Sequence, residues 1–262
     1  MQERHTDKDM YFKEQEYTTQ KYVIPFISEF VTLNKDFQVL EIGCGEAGNL
    51  KPFLDMGCPS MGVDLNADKV EYAREYFSTH PNNHLLKLVV KDIYDMVDEL
   101  KEGFDLIILR DVIEHIHNQE KFLACLKSLL KPNGKIFFGF PPWQNPFGGH
   151  QQVCSSKILS KTPYFHLLPK PLYKGVLKLF GESENSIANL LEIKDTGISI
   201  ERFERILKAE NWKIDRKTFF FINPNYEVKF KLKPRESYGF ITKIPVLRNF
   251  FTTACYYLIS KK

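Results

Sequence analysis

Val39-Leu-Glu-Ile-Gly-Cys-Gly-Glu-Ala-Gly48 decides how this chain is read, because an apolar run of strand character passes into a glycine-rich turn and then toward a helix. Gly43 and Gly45 let the backbone run close beneath a ligand, where a Cβ would collide. The spacing Gly43-x-Gly45-x-x-Gly48 also fits the dinucleotide fingerprint, so the glycines alone do not choose between cofactors. The plain alternative, a structural turn with no ligand, is disfavoured by the strand-turn-helix context. Glu41 lies two residues before Gly43 in an otherwise apolar strand. A carboxylate there can orient the turn or hold an ammonium group, whereas it repels a pyrophosphate in the same crevice.

Downstream of the turn, β-rich runs alternate with amphipathic stretches as far as Pro142. FQVLEI (37–42), MGVDL (61–65), LLKLVV (85–90), FDLIILR (104–110) and KIFFGF (135–140) read as strands. EAGNLKPFLDMG, NADKVEYAREYFSTH and FLACLKSLL read as helices between them, with Asn66 or Asp68 available as an N-cap. Apolar strands alternating with helices predict a parallel sheet buried on both faces, with ligands at the rim of the strand carboxyl ends. The second strand ends in Asp64, suited to a ribose diol, and the third in Asp92, which can accept from an adenine amino group. After Pro142 the rhythm stops for some fifty residues rich in Pro, Gly and aromatics, and we read 143–197 as an inserted cap. It returns at ISIERFERILKAENW (198–212), where Ile200, Phe203, Ile206 and Leu207 form one helical face, and strand-like KTFFFIN and ACYYLISKK follow.

The chain has 262 residues, enough for one large α/β domain, with residues 1–36 as a helical lead-in. Hydrophobic residues at 43% and charged residues at 26% exclude a disordered, collagenous or coiled-coil protein. With 36 Lys and Arg against 33 Asp and Glu, the net charge of +3 makes no electrostatic case for a nucleic-acid binder. Five cysteines, none at CxxC spacing, argue against a zinc ribbon or a disulfide scaffold. A charged N-terminus and the lack of an apolar stretch near ~20 residues predict a cytoplasmic protein.

Taken together, these motifs resemble the class I S-adenosylmethionine-dependent methyltransferases, within the broad group of the ubiquinone-biosynthesis O-methyltransferases. VLEIGCG resembles that family's first motif, GVDLN its ribose loop and KDI its adenine loop, and FDLIILRDVIEHIHN with LLKPNGKIFF its fourth strand and approach to the fifth. The resemblance implies a Rossmann-like sheet of seven strands, mostly parallel with one antiparallel, and S-adenosyl-L-methionine as cofactor. It further implies that Gly43 and Gly45 face the methionine part, with Glu41 supporting the turn. Asp64 would take the ribose, with Leu65 beside the adenine, and Asp92 and Ile93 would fix the adenine edge. Arg110 would lie near the methionine end, in a position where many relatives carry a small or apolar residue. The cap, outside the shared pattern, is where acceptor selectivity is expected.

Three further features need a use. Asp111, Glu114, His115 and His117 suggest metal ligands, with Asp111 and Glu114 at i,i+3 spacing; the alternative is a rim helix with a packed His115. With no clear third ligand along the sequence, the site is read as metal-free. Gly148-Gly149 before His150 allows a tight loop to hold an imidazole over the rim, which makes His150 the candidate general base; a loop histidine bonded to backbone is the alternative. Lys229, Lys231, Lys233 and Arg235 alternate with Val228, Phe230 and Leu232 as in a half-exposed strand. With the cap lysines 157, 161, 170, 174 and 178, that run suits an anionic membrane surface or a phosphorylated lipid-linked substrate, though such rows are more often solvated faces.

The expectation is therefore a methyltransferase acting on a small-molecule or lipid-linked acceptor, with oxygen favoured over nitrogen. Its rivals are a nicotinamide-dependent oxidoreductase, disfavoured by Glu41 and the Asp92 loop, and a non-catalytic scaffold. A nucleic-acid methyltransferase lacks support from any appended RNA-binding motif or base-reading signature. Oligomeric state is not legible.

Overall fold

The alternation between residues 37 and 142 appears in the computed structural model as five parallel strands; the structure describes residues 8–262. The first seven residues of the 1–36 lead-in lie outside the described residues. The strands are β1 (Val39–Ile42), β2 (Ser60–Asp64), β3 (Leu86–Val90), β4 (Phe104–Arg110), β5 (Leu130–Phe140), β6 (Trp212–Ile222), β7 (Arg235–Glu236) and β8 (Ala254–Lys261). The helices are α1 (Lys8–Thr18), α2 (Ile24–Ile27), α3 (Lys51–Asp55), α4 (Ala67–Phe77), α5 (Gln119–Leu129), α6 (Lys170–Leu179), α7 (Glu184–Thr196), α8 (Ile200–Ala209), α9 (Asn225–Phe230), α10 (Gly239–Thr242) and α11 (Leu247–Phe250). Among the described residues no helix is long and apolar enough to cross a membrane.

The sheet runs β3-β2-β1-β4-β5-β8-β6-β7. It has eight strands where seven were expected, and two antiparallel to the rest, β8 and the two-residue β7, where one was expected. β8 is antiparallel to both β5 and β6, so β6 points the same way as β1 to β5, and its carboxyl end reaches the same rim. Strand residues divide between two cores as a period of two requires. Leu106 and Ile108 pack on one side of the sheet with Phe53 and Phe137, while Ile107 and Leu109 pack on the other with Leu126 and Phe138. β3 lies at an edge and is only half-buried.

Local chemistry places the helix starts. Asn66, not Asp68, caps α4 by accepting from the Lys69 amide, and Ser199 caps α8 by accepting from Arg202. The predicted face of α8 is buried, with Phe203 edge-to-face against Phe138, Phe140 and Tyr257. The helix predicted after the glycine turn shrinks to the five residues of α3.

Two segments differ from their sequence reading. Residues 143–197 are not irregular throughout, because α6 and α7 pack with Cys154, Leu159 and Phe165 into a small core of their own. Buried Glu182 closes that unit by accepting from the Ser155 and Ser156 amides. The alternating run 227–235 is not one strand: its first four residues belong to α9, Lys231 caps that helix in a left-handed conformation, and only Arg235 enters β7. The start of α9 is set by Asn223, whose side chain accepts from the Asn225 amide, and its position by Glu227, which binds Lys21 and the hydroxyls of Tyr17 and Tyr22.

Phe203→Ala removes a ring shared by three aromatic contacts in a fully buried site. It should lower unfolding free energy by about 3–5 kcal/mol, read as a reduced urea midpoint. A midpoint close to wild type would show that α8 is not anchored through this cluster.

Candidate functional site

Gly43 and Gly45 adopt φ of +71° and +53°, the left-handed region that glycine enters without strain. A Cβ at Gly43 would also lie 2.6 Å from a methyl of Val112, so both conformation and space require glycine. Asp64 stitches this turn to the next loop: one carboxylate oxygen accepts from the Gly45 amide at 2.7 Å and the other from the Asn66 amide at 2.8 Å. Each oxygen keeps a further lone pair for a ribose diol. Gly48, the third glycine, serves packing, since a Cβ there would overlap the Phe12 carbonyl of α1.

The remaining cofactor candidates divide. Leu65 stands 72% exposed at the end of β2, open to stack against a base. Asp92 accepts from the Tyr94 amide at 3.0 Å and so shapes the loop after β3. Ile93 buries its side chain in the core, which leaves its main chain to serve the adenine edge.

Glu41 is buried, and burial pushes its carboxyl up to about 8, against the lowering effect of Asn49 and Arg110. One of its oxygens accepts from the Asn49 amide; the other has no hydrogen-bond partner among the described residues. The Asn49 oxygen accepts from Arg110 and, at 2.8 Å, from Thr19. Arg110 also donates to Asn225 of α9 at 2.6 Å. The side chain of Arg110 thus points into the site, over a cleft of about 220 Å³ whose lining includes Tyr11, Asn49, Asp111, Asn145, His150 and Lys229. Asn49, Thr19 and Asn225 were missed by sequence reasoning. Asn49 alone carried a signal, its place one residue beyond the glycine motif, while the other two reach the cleft only through folding.

His150 lines this cleft, as expected of it, but not by way of a flexible approach. Gly148 and Gly149 are packed so closely that a Cβ would overlap the Trp143 carbonyl and the His166 side chain. His150 itself takes the left-handed conformation, φ +54°, as does Asp111 at +55°. Its ring meets that of His115 at 5.0 Å. Ligand-capable atoms of Glu114, His115 and His150 lie within 4.8 Å of one another, so the third group is His150, from the loop after β5. His117, considered in its place, turns outward to pair with Glu192 at 3.0 Å. Glu114 is buried, neither of its oxygens has a hydrogen-bond partner among the described residues, and burial together with the Asp111 charge raises its pKa. One carboxylate and two imidazoles are a donor set suited to a divalent transition metal. His166 is structural: buried and held near a pKa of about 4 by that burial, it joins the Trp143 carbonyl to Gln151.

Comparison with known proteins bears on the family and the fold. The methyltransferase domain family matches residues 15–152. The mitochondrial ubiquinone biosynthesis O-methyltransferase of Mus musculus is 30% identical over 101 residues, which span 38% of this chain and 27% of that protein. Geranyl diphosphate C-methyltransferase from Streptomyces coelicolor, solved with Mg2+, geranyl diphosphate and S-adenosyl-L-homocysteine, superposes with TM-score 0.57 at 11% identity, over 90% of this chain and 77% of that one. Phosphoethanolamine N-methyltransferase 2 of Haemonchus contortus, solved with S-adenosyl-L-methionine, superposes with TM-score 0.54 at 16% identity, over 91% of this chain and 51% of that one. These proteins methylate oxygen, carbon and nitrogen by name, so the shared fold does not select the acceptor atom.

Asp64→Ala should weaken S-adenosylhomocysteine binding about tenfold or more, since charge-assisted bonds to a ribose are each worth about 1.5–3 kcal/mol. Calorimetry on the folded variant reads this directly. Unchanged affinity would leave Asp64 only its ties to Gly45 and Asn66.

Proposed function

The chain belongs to the class I S-adenosylmethionine-dependent methyltransferases, and from that premise we propose that it methylates a hydroxyl oxygen of a small-molecule or lipid-linked acceptor. The observation that carries the reading is the convergence of Glu114, His115 and His150 beside the cleft. Transfer forms an oxygen–methyl bond as the sulfonium–methyl bond breaks, so the acceptor hydroxyl must shed a proton. An amine arriving neutral makes no such demand before attack. The sulfonium already activates the methyl group, which leaves the protein to align the partners and take the proton.

Within the site, Gly43, Gly45 and Asp64 hold the cofactor on the glycine turn. Glu41, through Asn49, keeps that turn in register with Arg110. His150 faces the cleft where the acceptor hydroxyl is placed. Used alone, His150 is a general base. The buried carboxyl of Glu114, without a hydrogen-bond partner among the described residues, favours a second use, in which Glu114, His115 and His150 together hold a divalent cation. Such a cation supplies Lewis acidity, which lowers the pKa of a hydroxyl presented to it. We assign acceptor selectivity to segment 143–197, which contributes Asn145, Phe147 and Val153 to the cleft. The odd cysteine count leads us to place the reaction in the cytoplasm.

Titration of the chelator-treated protein with Mn2+ should show one saturable site by calorimetry and electron paramagnetic resonance. Glu114→Gln and His150→Ala should each weaken that site roughly tenfold or more, with S-adenosylhomocysteine affinity unchanged. No saturable Mn2+ binding would remove the cation and leave His150 as the base, whose loss should cost roughly 10²–10⁴-fold in turnover. Near-wild-type turnover of His150→Ala on a hydroxyl acceptor would overturn O-methylation by this trio.

A further inference from the structure

Between β6 and β8 the chain makes an excursion, residues 223–253, at the carboxyl end of β6 and hence on the cofactor rim. Its inner side lines the cleft through Asn223, Asn225, Tyr226, Lys229 and Thr253. Elsewhere it is rich in exposed apolar side chains. Eight of its large apolar side chains, from Phe230 to Phe251, are exposed, led by Phe240 at 69% and Val246 at 59%, with Leu232, Ile244 and Leu247 among the rest. A concentration of this kind on one excursion is not the scatter of single apolar residues found on any surface. Its charge is mostly positive: Lys231, Lys233, Arg235 and Lys243 are exposed, and Glu236 is the one acid between residues 229 and 251.

We propose that the exposed part of this excursion docks on an anionic lipid bilayer, with Phe230, Leu232, Phe240 and Val246 entering the interface and the neighbouring lysines reaching headgroup phosphates. Charge complementarity selects this partner, since exposed cations stand among the exposed apolar side chains. A protein interface excludes lysine from its apolar core, and here Lys231, Lys233, Arg235 and Lys243 stand exposed among the exposed apolar side chains of the excursion. A bilayer meets no such conflict, because apolar side chains sink to the acyl boundary while lysine stems extend to the headgroup layer. Other features separate this surface from a general basic face. In segment 143–197, Lys170 and Lys178 are already paired with Asp195 and Glu184, and Arg248 of the excursion is tied to Glu201 and Glu204. Docking here would bring the excursion that lines the cleft to the membrane. It deepens the preceding reading by favouring its lipid-linked acceptor, yet the surface itself does not depend on which atom is methylated.

The full chain is floated with vesicles of phosphatidylcholine alone and of phosphatidylcholine mixed with phosphatidylglycerol. We expect binding to the mixed vesicles only, weakened by added salt. Lys231→Gln with Lys233→Gln should lower partitioning roughly thirtyfold, the equivalent of about 1 kcal/mol per lysine near an anionic surface. Phe240→Ser should also lower it, at unchanged net charge. Both variants should keep wild-type S-adenosylhomocysteine affinity, which certifies the fold. Absence of flotation, equal binding to neutral vesicles, or variants that float like wild type would overturn the proposal. So would light scattering showing a dimer that Phe240→Ser dissociates, since a second copy would then cover the surface. Vesicle binding together with turnover on a soluble acceptor alone would leave the docking surface standing and remove the lipid-linked acceptor.

Discussion

The carboxyl of Glu41 ends up at the carboxyl end of β1 almost wholly out of water, and its neighbourhood is arranged around that fact. A buried ionised carboxylate without partners costs several kcal/mol, so the group stays protonated well above the usual range, at about 8. Asn49 holds one oxygen, and the other end of the Asn49 amide is shared by Thr19 and Arg110. Arg110 continues to Asn225. One run of polar contacts thereby joins the glycine turn, the π-helical turn that follows α1, the end of β4 and the start of α9. Removing any member leaves another buried polar group unpaired, which is why these segments, distant in sequence, are set as one unit around the cleft.

From that unit follows the division of labour at the rim. The cleft is walled by amides, a guanidinium and an imidazole, while elsewhere the same 223–253 excursion is rich in exposed apolar and basic side chains. Both arise from the direction of β6. Because β8 runs antiparallel between β5 and β6, the chain leaves β6 at the ligand rim and must return along that rim to enter β8. A connection so placed has one side facing the cofactor and one side facing outward. Its composition could therefore diverge on the two sides without disturbing the sheet.

The trio of Glu114, His115 and His150 illustrates how a site is assembled across elements. Glu114 and His115 come from the short turn after β4, and His150 from the loop after β5, brought adjacent because β4 and β5 pair in parallel. Close packing of Gly148 and Gly149 against Trp143 and His166 holds the second loop down. Precision there comes from steric contact, not from glycine flexibility, which suits a group that must hold an orientation.

The sequence by itself determined the parallel sheet, the glycine turn, and the placing of Asp64 and Asp92 at strand ends. Periodicity, apolar runs and short-range glycine spacing are local properties, and local properties are written in order along the chain. It also carried the buried face of α8, from Ile200 to Leu207, for the same reason. Only the tertiary structure decided the rest. The run 227–235 has the period of a strand, yet Asn223 and the three partners of Glu227 turn its first half into helix, because long-range hydrogen bonds outweigh a weak local preference. That the Ile93 side chain packs in the core, leaving only its main chain toward the rim, was likewise decided by packing. His150 joined Glu114 and His115 across some thirty-five residues of sequence, a proximity that no spacing rule encodes, since it is created by strand pairing and not by the covalent chain.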